Sequence, residues 1–157
     1  MPTDLPEDAP ARIRSLGPIL SPGYAASGPT AAWVHGVGDK PPICHHVQRI
    51  SESRPRVRAI RNVVVHDRRL EDGDIEVIAG APVTTRLRTL TDLVLSANRD
   101  PESASWMHRL ARVEPWLVPQ VQEVIGARRR MPGRRAALAA IAGLEPNQEQ
   151  SQDDVTR

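Results

Sequence analysis

The chain has 157 residues, of which 39% are hydrophobic and 25% charged, and a formal net charge of +2 at pH 7. That length is one domain's worth of material, and the single cysteine, Cys44, excludes an internal disulfide framework. No stretch approaches about 18 uninterrupted apolar residues and none has the order of a signal peptide, so the sequence reads as cytoplasmic, with no membrane partner.

The first ten residues hold three prolines and three acids, and 145–157 contain one aliphatic residue. Neither segment buries enough apolar surface to offset the entropy of ordering it, so 1–10 and 145–157 are expected to be disordered tails around one domain over 11–144. With no Phe, one Tyr and three Trp, the core must be aliphatic. A short helix is predicted over 11–20, ended by Gly17-Pro18, and Ser21-Pro22-Gly23 is a turn. In Ser27-Gly28-Pro29-Thr30-Ala31-Ala32-Trp33-Val34-His35-Gly36, either Ser27 or Gly28 can cap a two-turn helix that Gly36 stops.

Lys40-Pro41-Pro42 turns the chain extended. A strand is predicted from Ile43 to Ile50, a polar loop over 51–55, and a second strand from Val57 to His66. Its Val63-Val64-Val65 centre reads as buried. Ile75-Glu76-Val77-Ile78 and Val83-Thr84-Thr85 suggest a hairpin or a continuing sheet edge. From Thr85, a plausible N-cap, the period becomes helical through Leu87, Leu90, Leu93 and Val94, with Arg88 and Asp92 one turn apart. Further helices are predicted at 102–113, with Trp106, Leu110 and Val113 on one face, then at 117–130 and 134–144. The fold class that follows is α+β: a small mixed sheet of three to five strands with a helical C-terminal third.

Chemistry is harder to find. Cys44, His45 and His46 are metal-ligand types, but neighbours on a strand point to opposite faces, and no CxxC, His-x3-His or HExxH spacing occurs. There is no Gly-x-Ser-x-Gly elbow and no phosphate loop. Lys40, the only lysine, is far in sequence from the strand acids Asp74 and Glu76, so a metal-dependent nuclease centre is not legible. The expectation is no enzyme, no metal and no cofactor. What stands out is arginine. Residues 49–69 hold seven, among them Arg54, Arg56, Arg58 and Arg61, and Arg128, Arg129, Arg130, Arg134 and Arg135 form a second cluster. Such strips attract nucleic acid or an acidic protein, or else form a solvated face.

Two segments also carry a resemblance: residues 27–36, and Gly80-Ala81-Pro82-Val83-Thr84-Thr85-Arg86-Leu87-Arg88-Thr89-Leu90-Thr91-Asp92-Leu93. In this order they resemble the AbiEi-like antitoxin family of type IV toxin–antitoxin systems, with the actinobacterial branch nearest in style. The resemblance implies an antitoxin domain, a transcriptional regulator whose protein partner is a nucleotidyltransferase-like toxin. Family members usually carry an N-terminal winged helix for promoter DNA, and some a C-terminal nuclease-like domain. Neither is expected here, so DNA contact would fall to the arginine cluster. Arg86 stands where the family usually has proline. Of the motif residues Trp33, His35, Gly36, Thr84, Thr85, Arg88, Thr89 and Asp92, most are expected to be structural: Trp33 in the core, Thr84 and Thr85 ending a strand and capping a helix, Arg88 and Asp92 bracing that helix against the sheet. The alternatives are a free-standing nucleic-acid-binding protein using the Arg strips, or a non-catalytic interaction module.

Overall fold

A computed structural model describes residues 8–52 and 61–144. In chain order the elements are α1 (Ala9–Ser15), β1 (Tyr24–Ala26), α2 (Gly28–Val34), β2 (His45–Arg49), β3 (Val63–His66), β4 (Ile75–Ile78), β5 (Ala81–Thr84), α3 (Arg86–Ser96), α4 (Pro101–Val113), α5 (Leu117–Ala127) and α6 (Arg134–Ala142). This is an α+β fold: a mixed five-stranded sheet in the order β3-β2-β1-β5-β4, followed by four helices.

The sheet mixes two antiparallel pairs, one of them a hairpin, with two parallel ones. β1 runs antiparallel to β2 and β4 to β5, while β1–β5 and β2–β3 are parallel. The β4–β5 turn is the two residues Ala79 and Gly80, both at positive φ, as a tight hairpin matched to strand twist requires. β1 is the strand that the sequence pattern missed. Its Tyr-Ala-Ala run has no polar alternation because it is central and buried throughout.

Several boundaries differ from the pattern-based expectation. α1 begins at Ala9 and ends at Ser15, because the Asp8 carboxylate accepts from Ala11 N and sets the start; Ala9 and Pro10 therefore belong to this helix, and Asp8 caps it. β2 is shorter than 43–50, as Ile43 and Cys44 precede the ladder. The strand expected from Val57 starts only at Val63, and 53–60 lie outside the described residues. β3 is also not buried. As the sheet's edge it leaves Val64 39% and Val65 41% exposed, so β-branched content marked a strand without marking its depth. Val113 likewise leaves the Trp106–Leu110 face and is exposed at the end of α4.

The core lies between the sheet and the helices. Ala26, Ala31, Val34, Val83, Leu90, Leu93, Leu110, Val121, Ile125 and Ile141 belong to one buried cluster. α2 packs on β2 and β5, and α3 touches α2, α4, α5 and α6. Small residues in α2, Ala31 and Ala32 among them, let it approach the sheet closely. At about 25 cal/mol per Å² of apolar surface removed from water, aliphatic burial of this kind is the main stabilising term. Among the described residues, no helix is long and apolar enough to cross a membrane.

Candidate functional site

The two signature segments meet. α2 ends at Val34, and His35 then sends its Nε2 to the Thr84 carbonyl at 2.7 Å, while Gly36 takes φ 100, a conformation that favours glycine. Burial lowers the His35 pKa, only partly opposed by the bond to Thr84. Trp33 is buried, with the Arg12 guanidinium stacked over its ring and Arg12 Nη1 donating to the Trp33 carbonyl at 2.7 Å. Thr85 caps α3 by accepting from Arg88 N, and the Thr84 and Thr89 hydroxyls share a 2.7 Å hydrogen bond.

Arg88 and Asp92, one turn apart on α3, tie that helix to both ends of the sheet. Arg88 Nε donates to Asp92 Oδ1 at 2.9 Å and Nη1 to Asp74 Oδ2 at 2.9 Å, just ahead of β4. From the other side Arg68, just after β3, reaches Asp92 Oδ1 at 3.3 Å, the Asp92 carbonyl and the Ser96 hydroxyl. Burial raises the Asp92 pKa, opposed by Arg88 and Arg68. These side chains spend their polarity on one another.

Beside the brace is a cavity of about 420 Å³ between the β2–β3 edge and the α3–α4 junction. Its floor follows from strand register. His46 pairs with Val64 and Gln48 with His66, so these four side chains share one face. The rings of His46 and His66 stack with centroids 5.1 Å apart, and His46 Nδ1 lies 2.8 Å from His66 Nε2 in a shared hydrogen bond. Gln48 then fastens the end of β3 by bonding the Arg68 backbone. Burial lowers both histidines; His66, with Arg68 and His46 adding to the effect, falls to about 4. Val64 and Leu95 give the cavity apolar walls, and Arg68, Arg99, Asp100 and Glu102 surround them.

Most of that charge is committed. Asp100 caps α4 by accepting from Glu102 N, Ser103 N and the Ser103 hydroxyl; burial alone would raise its pKa, but these bonds pull it below the ordinary value. Glu102 accepts from Ile43 N at 2.6 Å. A small void of about 10 Å³ adjoins the cavity, sharing His46, His66 and Arg68, and is lined by Ser27. The Ser27 hydroxyl is sealed from solvent with no hydrogen-bond partner among the described residues. Sequence reasoning did not find this site. The only signal was the two-residue spacing of His46 with Gln48 and of Val64 with His66, which means nothing until parallel register is known.

Of the first arginine strip, Arg68 lines this cavity. Arg54, Arg56 and Arg58 lie outside the described residues, and Arg61 is exposed in the turn before β3. Arg128 follows α5, which ends at Ala127 rather than at 130, so Arg128, Arg129 and Arg130 lie in the α5–α6 connection. Arg129, Arg130 and Arg135 are exposed, while Arg128 and Arg134 are half-buried, with Arg134 Nη2 donating to the Gly126 carbonyl.

Among the described residues, no three His, Cys, Asp or Glu side chains converge to hold a metal ion. His45, which sits next to His46 in β2, turns the other way, to the Thr30 hydroxyl at 3.2 Å. Comparison of the chain with family models, with curated proteins and with solved structures gives no match.

Proposed function

We propose that the chain is a non-catalytic, antitoxin-like regulator that acts by surface contact with a protein partner, a nucleotidyltransferase-like toxin. The observation that carries this reading is the internal use of the signature residues. His35, Thr84, Thr89, Arg88 and Asp92 bond one another, their backbone, or Asp74 and Arg68, and leave no free nucleophile or base among them. A motif spent on bracing a scaffold is compatible with recognition through the surface that the scaffold presents. The test is to identify the product of the neighbouring gene and, where it is nucleotidyltransferase-like, to co-express it with this chain. A co-purifying complex and rescued growth are expected; neither complex nor rescue sinks the reading.

A second reading, nucleic-acid binding, is favoured by the exposed Arg129 and Arg130 in the α5–α6 connection and the exposed Arg135 in the first turn of α6. Contacts of that kind are sequence-independent and fall steeply with salt. Mobility shift across a salt series decides it: binding that survives Arg129→Ala, Arg130→Ala and Arg135→Ala together excludes this corner.

A further inference from the structure

The cavity over the His46–His66 pair combines features that a purely structural cleft does not need. At about 420 Å³ it falls within the range of small-molecule sites, roughly 300–1,000 Å³, and is far larger than an inorganic anion would fill. Both imidazoles on its floor are neutral at neutral pH, because burial holds them below their ordinary pKa, and the neighbouring Arg68 is tied to Asp92. The shared bond uses His46 Nδ1 and His66 Nε2. The outer nitrogens, His46 Nε2 and His66 Nδ1, have no partner among the described residues and are not among the sealed polar atoms.

Tautomerism makes this arrangement specific. If His46 donates within the pair, its outer nitrogen is a bare acceptor and the outer nitrogen of His66 carries a proton. If His66 donates, the roles exchange. In either state the pair offers one donor and one acceptor, the pattern that a nucleobase edge answers. The Val64 and Leu95 walls suit the faces of a flat ring.

At the mouth, Asp100 and Glu102 are occupied by backbone and Ser103 donors, and Arg68 by Asp92 and Ser96. Arg99 is exposed and has no ion pair among the described residues. The site therefore holds neutral, two-way hydrogen bonding inside and one uncommitted cation outside. We propose that this cavity binds a nucleoside monophosphate, with the base against the His46–His66 pair and between Val64 and Leu95, and the phosphate on Arg99. The site does not depend on the partner surface proposed above.

The experiment titrates the full chain at neutral pH with the four common nucleoside 5′-monophosphates, their nucleosides and inorganic phosphate, read by calorimetry and by the histidine side-chain resonances. At least one monophosphate is expected to bind saturably, with a Kd of about 1 mM or tighter. It should shift the His46 and His66 signals, and its nucleoside should bind about tenfold more weakly. Arg99→Gln, an exposed substitution, should cost a similar factor, and Val64→Trp on the edge strand should fill the cavity and abolish binding while the chain stays folded by circular dichroism. No saturable binding by any of the four overturns the proposal. So does binding equal to that of inorganic phosphate, or binding indifferent to both variants, which would place the anion on the Arg129–Arg135 corner instead.

Discussion

Arg88 and Asp92 form a buried ion pair within one helix, Nε to Oδ1 at 2.9 Å, with side chains 5% and 6% exposed. A pair one turn apart on a solvated helix contributes only a few tenths of a kcal/mol. This one is different because each member also holds a second partner across the fold, Asp74 for Arg88 and Arg68 for Asp92.

Removing Asp92 costs both arginines a carboxylate. Asp92→Ala leaves Arg88 with Asp74 alone and Arg68 with only the Asp92 carbonyl and Ser96, and is expected to destabilise the chain by about 1–3 kcal/mol in urea unfolding. The double replacement Arg88→Met with Asp92→Leu should cost less than the sum of the singles, since it removes both buried charges together. Additive single effects would show that the pair is not coupled.

Acidification should weaken the fold. Unfolded His66 takes up a proton near its ordinary 6.5, but the folded residue only near 4. Between those values the unfolded chain binds more protons, so stability rises with pH across that window and falls as pH drops through it. His35, His45 and His46, each lowered by burial, act in the same direction. A loss on the order of 2 kcal/mol from pH 7 to about pH 4.5 is expected, after allowance for solvent screening. His66→Gln should flatten the profile. A urea midpoint that stays constant or climbs on acidification contradicts the pair's geometry.

Gly28 opens α2 at φ 51, a left-handed position, and a Cβ there would meet the His46 Cβ at 3.6 Å, an ordinary contact. Space is not the constraint; backbone conformation is. Gly28→Ala should cost roughly 1–2 kcal/mol and Gly28→Asn less, because asparagine tolerates that region better. Thermal unfolding of the two variants checks the order, and equal losses would point to steric crowding instead.

The exposed arginines should behave in the opposite way. Arg129→Ala, Arg130→Ala and Arg135→Ala touch no ion pair among the described residues, so each should change stability by no more than about 0.5 kcal/mol. If the corner contacts a partner or a phosphate backbone, their effect appears in the salt dependence of binding alone. Large losses of stability from these substitutions would mean that the corner is structural.

The sequence by itself determined the kinds of element and their order. Thr85 before a three-to-four-residue apolar period marked α3, Pro101 marked α4, and β-branched runs marked β3 and β4, because capping, proline geometry and side-chain period are local properties. The Arg88–Asp92 pairing was legible for the same reason, since both residues lie on one helix. What only the tertiary structure decided was everything set by strand order and register. It decided that Tyr24–Ala26 is a central strand, that Val64 and Val65 lie on an edge, and that His46 and His66 meet across a parallel ladder. Period two says which residues share a face, but not which strand lies alongside or in which direction it runs. The candidate site is built from that missing information: two histidines 20 positions apart, placed together by register and kept neutral by burial.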